Sequence, residues 1–219
     1  MKECIEGAFS LNGISGKSHI EIPKVIGTDH KKLPILLSQR NRELVKSMIE
    51  EEGVSLYRLE RQTGSSTSAL ISSYLFARYL STNVLYLSRN NYCTVGSFEH
   101  FRELKSSFIP IVANKFLKIS KEESRVDIKP LGHNKIDEEC SILFMDFDEF
   151  VPILLSKKMP PFEKWKFNPN KNLAIIIDNV SEALAPWDKG FWDKKSFVFP
   201  SKTTEFSKRW IIIETSDVR

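Results

Sequence analysis

The sequence of 219 residues is poor in cysteine, and the three it has do not pair by spacing. Cys4, Cys93 and Cys140 are odd in number, widely separated and in no CxxC arrangement, which excludes a disulfide framework and a zinc site as the basis of the fold. Such usage fits a reducing compartment, so the cytoplasm, of a host cell if the gene is viral, is the expected location. Long apolar runs are missing too. The opening MKECIEGAFSLNG has no apolar segment of signal-peptide type, and no later stretch approaches the length of a membrane span, so neither secretion nor a membrane partner is expected. The four histidines, His19, His30, His100 and His133, lack ligand-like spacing and are expected at the surface. Internal repeats and low-complexity tracts are absent.

What remains is ordinary globular composition, with 41% hydrophobic and 27% charged residues, enough to bury a core without staples. The net charge of +4 is mild, but it is unevenly placed. Between Lys157 and Arg209 there are 11 Lys and Arg against 6 Asp and Glu, with Trp165, Trp187 and Trp192 inside that stretch and the fourth tryptophan, Trp210, directly after it. Such a stretch either offers a surface that holds phosphates and stacks on bases, or carries solvated lysines around tryptophans that fill a core. The core reading is the better supported.

Hydrophobic periodicity predicts alternating strands and helices. Residues 1–37 read as a lobe of short strands and loops punctuated by Pro23, Gly27 and Pro34. Leu44, Val45, Met48 and Ile49 form the stripe of an amphipathic helix from Ser38 to about Glu51. A strand follows over Val54–Leu59, then the loop ERQTGSS, a helix to about Leu80, a strand over Asn83–Ser88 and a helix over Ser97–Ser106. Further strands are predicted at 125–129, 141–147, 173–178 and 210–214, with a Pro-rich loop over 157–171. The βαβα progression implies an α/β fold with a mainly parallel sheet covered by helices.

In such folds anions bind where a strand ends and a helix begins, because free backbone N–H groups point outward there. The loop at 60–67 is that place. A phosphate loop needs a glycine for close backbone approach, a lysine for the β- and γ-phosphates and a hydroxyl for magnesium. Gly64 supplies the glycine and Ser66 or Thr67 the hydroxyl, while Ser65 stands where lysine is expected; a plain helix N-cap would carry the same letters. The acidic partner, at the end of a buried strand, is Asp178 after Leu173–Ile177. A competing candidate is SILFMDFDEF, with Asp146, Asp148 and Glu149. A second GKS, in GISGKS at 13–18, has two residues between its glycines instead of four, and Pro23 follows it, so it is set aside as the nucleotide loop.

Taken together, Gln39, the RQTGSST of 61–67, VLYLS ending at Ser88, LAIIIDN ending at Asp178 and Asn179, and WIIIETS ending at Thr215 and Ser216 resemble, in order and spacing, the ATPase domain of the large terminase subunit of tailed phages. The resemblance covers residues 38–219, about five-sixths of the chain. It implies a P-loop NTPase fold of the RecA and terminase kind, binding ATP with Mg2+. Gln39 would contact adenine, and Arg58, Arg61, Gln62, Thr63, Gly64, Ser65, Ser66 and Thr67 would surround the phosphates. Ser66 and Asp178 would hold the metal, Arg61 would stabilise the transferring phosphoryl group, and Thr215 with Ser216 would couple hydrolysis to movement. The partners it implies are double-stranded DNA, the phage portal, the small terminase subunit and further copies in a homo-oligomeric ring.

Two departures from that pattern bear on activity. Ser65 replaces the loop lysine, and Asn179 replaces the glutamate that activates water, a loss typically worth about 10²–10⁴-fold in rate. Glu182, one helical turn beyond Asp178, is a candidate replacement base, and Arg58 and Arg61 are candidate replacement charges. The nuclease domain of the family is not expected within this sequence, which reads as a truncated, a split or a decayed member. Three functions follow: a packaging motor, a scaffold of the same fold that has lost hydrolysis, and a nucleic-acid-binding, helicase-like fragment.

Overall fold

The computed structural model describes residues 2–4, 10–14, 17–21, 25–26, 35–108, 117–130, 139–156, 160–179 and 207–216. Glu182, Trp187 and Trp192 lie outside them. Strands β1 (Lys2–Cys4), β2 (Ser10–Ile14) and β3 (Lys17–Glu21) form an antiparallel sheet, and β4 (Val25–Ile26) pairs with β5 (Ile35–Leu36). Of the GKS at 16–18, Lys17 and Ser18 open β3, opposite Ile14 and Gly13 of β2. They run on as strand to Glu21, where a phosphate loop would lead into a helix.

Helix α1 (Gln39–Glu50) opens under a cap in which the Asn41 N–H donates to Ser38 Oγ, and it buries the expected Leu44, Val45, Met48 and Ile49. The chain then runs through β6 (Gly53–Glu60), α2 (Ser65–Tyr79), β7 (Thr82–Ser88), α3 (Asn91–Phe108), β8 (Leu117–Ser120), β9 (Arg125–Ile128), β10 (Cys140–Asp146), α4 (Phe147–Leu155), β11 (Asn172–Ile177) and β12 (Arg209–Ser216). Seven strands make one sheet in the order β6-β12-β11-β7-β10-β9-β8. The first five are parallel, and β9 and β8 turn antiparallel at one side. The α/β fold with a mainly parallel sheet flanked by helices is therefore as the sequence predicts.

Side chains of a strand alternate between faces, and here each face carries its own core. Val84, Tyr86, Ala174, Ile176, Ile211 and Ile213 meet the apolar sides of α1, α2 and α3. Leu85, Leu87, Ile175, Ile177, Trp210 and Ile212 face the other way, against Phe147, Phe150 and Val151 of α4 and the turn carrying Trp165 and Phe167. Strands buried on both faces read as unbroken apolar runs, which is why VLYLS and LAIII announced themselves. Two of the four tryptophans, Trp165 and Trp210, are core residues. That half of the basic, aromatic stretch is thus structural.

The segment 157–171 follows its prediction as a loop with a tight turn over its described part. The buried guanidinium of Arg125 secures it by donating to the backbone carbonyls of Trp165 and Lys166, while Arg125 is itself held by Asp127 and Ser141. Three elements went unpredicted or were misjudged. Helix α3 starts at Asn91, six residues before the expected Ser97, and neither helix α4 nor β8 was foreseen.

Ile176 is fully buried at the middle of the sheet, and truncating it leaves a void that the flanking strands cannot close. Ile176→Ala should cost about 2–5 kcal/mol in a denaturant titration, whereas Tyr92→Ala, at a side chain 89% exposed, should stay within about 0.5 kcal/mol of wild type.

Candidate functional site

The carboxyl ends of the five parallel strands gather the polar residues that an otherwise apolar sheet has to place somewhere. From β6 the chain passes through a turn at 61–64 directly into α2. Gln62 and Gly64 both take left-handed backbone, with φ of 62° and 79°, and the Thr63 hydroxyl closes the turn by donating to the Glu60 carbonyl at 2.7 Å. A side chain at Gly64 would be strained by its φ, and its Cβ would lie 2.7 Å from Asn41 Nδ2. The φ is what requires glycine here, since the Asn41 amide can swing aside, while the close approach shows that the start of α1 lies against the turn. Gln39, two residues before Asn41, is exposed on that same first turn of α1, with its amide donating to Glu43 at 2.8 Å.

Beyond Gly64, α2 begins with no side-chain cap. Uncapped first-turn N–H groups at a positive helix end form an anion-binding surface. Ser65 is buried at the first helical position, and Ser66 and Thr67 are half-buried. Arg61 is exposed at the start of the turn. Arg58 lies on the body of β6 and pairs with Glu214 across β12 at 2.9 Å.

Asp178 follows β11, which lies two strands from β6, about 10 Å by ordinary strand spacing. Asp146 ends β10, four strands from β6, and its carboxylate accepts from Thr94 at 2.6 Å. Asp148 and Glu149 are exposed on the first turn of α4, whose core residues pack on the opposite face from α2. The geometry thus favours Asp178 as the acidic partner of the turn.

The Asp178 carboxylate is buried. Its Oδ2 accepts a 2.7 Å hydrogen bond from the Tyr86 hydroxyl, and its backbone N–H donates to the Leu87 carbonyl. The Ser66 hydroxyl lies close enough to favour the charged form, yet Oδ1 is a buried acceptor with no hydrogen bond of ordinary length. Burial raises the Asp178 pKa above its usual value, opposed by Tyr86, Ser66, the Asn179 backbone and the charge of His100. Burial and the neighbouring Asp178 also push the Tyr86 hydroxyl well above its usual range, so it remains a donor. An unsatisfied buried acceptor costs about 1–3 kcal/mol, and a cation or a cation-bound water beside Ser66 would remove that cost.

These two residues therefore suit Mg2+, which usually takes one or two protein oxygens and completes its octahedron with phosphate oxygens and water. Among the described residues there is no group of three or more His, Cys, Asp and Glu placed to bind a metal by themselves.

Asn179 follows with a left-handed φ of 54°, and its Oδ1 accepts from Thr215 Oγ1 at 2.9 Å. Thr215 stands opposite Leu59 in the β12–β6 ladder, and the next residue, Ser216, stands opposite Glu60, where the turn begins. One strand thus connects the residue beside Asp178 to the root of the turn. Sequence reasoning did not single out Tyr86, Ser97, His100 or Asn41. A tyrosine within a wholly buried strand was the available signal, since its hydroxyl must find a partner. Around it the Ser88 and Ser97 hydroxyls meet at 3.2 Å.

The site is a glycine turn between a parallel strand and an uncapped helix, faced by a buried carboxylate, as in the phosphate sites of α/β proteins. No family model and no curated protein matches the chain. Among solved structures it is similar to the large terminase ATPase domain of Thermus phage P74-26, at 13% identity and a TM-score of 0.46. The match covers 80% of this chain and 65% of that one, so the chain spans just under two thirds of that neighbour's length.

A carboxyl group with a raised folded-state pKa destabilises the folded protein once it ionises. The penalty is absent below the usual carboxylate range, near pH 4, and grows as pH rises through that range and then through the folded value. Asp178→Asn keeps an acceptor for Tyr86, so without ligand it should melt close to wild type at pH 4 and above it at pH 7.5. Thermal scans across that range check this; a variant that loses ground as pH rises would contradict it.

Proposed function

We propose that the chain is a terminase-like ATPase domain that binds ATP with Mg2+ between the 61–64 turn and Asp178, with hydrolysis impaired. The observation that carries this reading is the unsatisfied Asp178 Oδ1 beside Ser66, at the foot of an uncapped helix that follows a glycine turn. Backbone N–H groups of the turn and of the first turn of α2 would hold the phosphates, and Arg61 would contribute charge. Ser66 and Asp178 would hold the magnesium, which when bound neutralises phosphate charge. Gln39, on the first turn of α1 near Gly64, is on the correct element to meet the base.

Two substitutions limit what such a site does. Ser65 brings no charge to the phosphates, and a buried serine leaves that task to dipoles and Arg61. Asn179 can hydrogen-bond a water but cannot take its proton, and Thr215 already occupies its carbonyl oxygen. Affinity is therefore modest and turnover slow. The role in phage DNA packaging, with double-stranded DNA, the portal, the small terminase subunit and a ring of copies, rests on the sequence resemblance. A second reading, a hydrolysis-dead scaffold or nucleic-acid-binding protein of the same fold, is favoured by those same two residues. Glu182 enters neither reading, since it lies outside the described residues.

Calorimetry with Mg-ATP should give weak binding to wild type, and Ser65→Lys should tighten it by about tenfold or more, the effect of one strong charged contact. Adding Asn179→Glu should raise phosphate release above the wild-type rate. Equal affinity in wild type and Ser65→Lys would mean that the turn does not meet phosphate.

A further inference from the structure

We infer that Tyr86 is a positioning residue for the metal side of the nucleotide site, fixing the Asp178 carboxylate so that Oδ1 is presented to a divalent cation or its bound water. The inference rests on the proposed nucleotide reading and concerns a residue to which the terminase resemblance assigns no role.

The geometry is specific. A carboxylate on a short side chain turns readily about its last torsion, which is broad and nearly two-fold. Here one oxygen is anchored. The Tyr86 hydroxyl donates to Oδ2 at 2.7 Å, and its ring cannot move, being fully buried and packed against Phe144 at 5.2 Å between centroids. The anchor also comes from the neighbouring strand, because Ile177 and Leu87 are register partners and Asp178 N–H bonds the Leu87 carbonyl. Backbone and side chain of Asp178 are thus both tied to β7.

With Oδ2 accepting from Tyr86, Oδ1 is the carboxylate oxygen that is buried without a hydrogen bond. The Ser66 hydroxyl, at the foot of α2, lies beside the carboxylate. An apolar residue at position 86 would pack equally well against Phe144, so packing alone does not require the hydroxyl. A hydroxyl that uses up one carboxylate oxygen and leaves the other bare is costly in the free protein, and it becomes favourable once a cation occupies the Ser66 side.

The test separates metal-dependent from metal-independent binding. Calorimetry would use ATP in the presence of Mg2+ and ATP in EDTA, on wild type, Tyr86→Phe and Asp178→Asn, with Mn2+ titrated by electron paramagnetic resonance in the presence of a non-hydrolysable ATP analogue. Tyr86→Phe should weaken Mn2+ and Mg-ATP binding by about tenfold, one charge-assisted hydrogen bond, while ATP in EDTA binds as in wild type. A purely structural role would move both. If Tyr86→Phe binds Mg-ATP like wild type while Asp178→Asn does not, the positioning role is overturned and the nucleotide site stands. If wild type and Asp178→Asn bind ATP equally with and without Mg2+, the nucleotide reading falls and this inference with it. Should Tyr86→Phe not fold, wild type labelled with 3-fluorotyrosine gives the same answer by fluorine NMR. One resonance should shift with Mg-ATP and not with ATP in EDTA, and an unchanged spectrum overturns the inference.

Discussion

The arrangement depends on a single buried carboxylate. Asp178 follows β11, the middle one of the five parallel strands, is bonded by Tyr86 on one oxygen, and is left without a hydrogen bond on the other, with Ser66 beside the carboxylate. A folded protein rarely tolerates a bare buried acceptor unless something else is served by it. Everything around it is placed by the sheet. β7 brings Tyr86, β12 brings Thr215 to the following Asn179, and β6, on the far side of β12, delivers the glycine turn and the start of α2. β12 is the strand that sets the distance between the turn and the carboxylate.

The strand order also explains how a change at the 61–64 turn would be felt elsewhere. β12 lies between the turn-bearing strand and the Asp178 strand and is in register with β6 over its whole length, from Arg209 opposite Gly53 to Ser216 opposite Glu60. A side chain on β12 therefore touches the residue after Asp178 while the strand itself is bonded to the root of the turn. The cross-strand pair of Arg58 and Glu214 strengthens that ladder and draws Arg58 toward a structural role on β6.

The sequence made β7, β10, β11 and β12 legible because each runs apolar on both faces and stops at a polar residue. Gly64 was legible through its place between a strand and a serine-rich helix start, and Asp178 through its place after LAIII. The start of α3 was hidden because Asn91–Gly96 shows no apolar stripe; Tyr92 and Val95 are exposed, and only Thr94 is buried there. Helix α4 was hidden by Pro152, which sits inside it, and by Phe147, which continues the apolar run of β10. Burial of Asp178, its bond to Tyr86 and the contact of Asn41 with the turn depend on which strands become neighbours. No spacing along the chain carries that information.

A crystal structure with a non-hydrolysable ATP analogue and Mn2+, read by anomalous scattering, tests the central claim most directly. The account predicts phosphates on the backbone N–H groups of the 61–64 turn and of the α2 start, with the manganese between Ser66 and Asp178 Oδ1. Manganese bound elsewhere, or the nucleotide bound away from Gly64 with Oδ1 still bare, would contradict it.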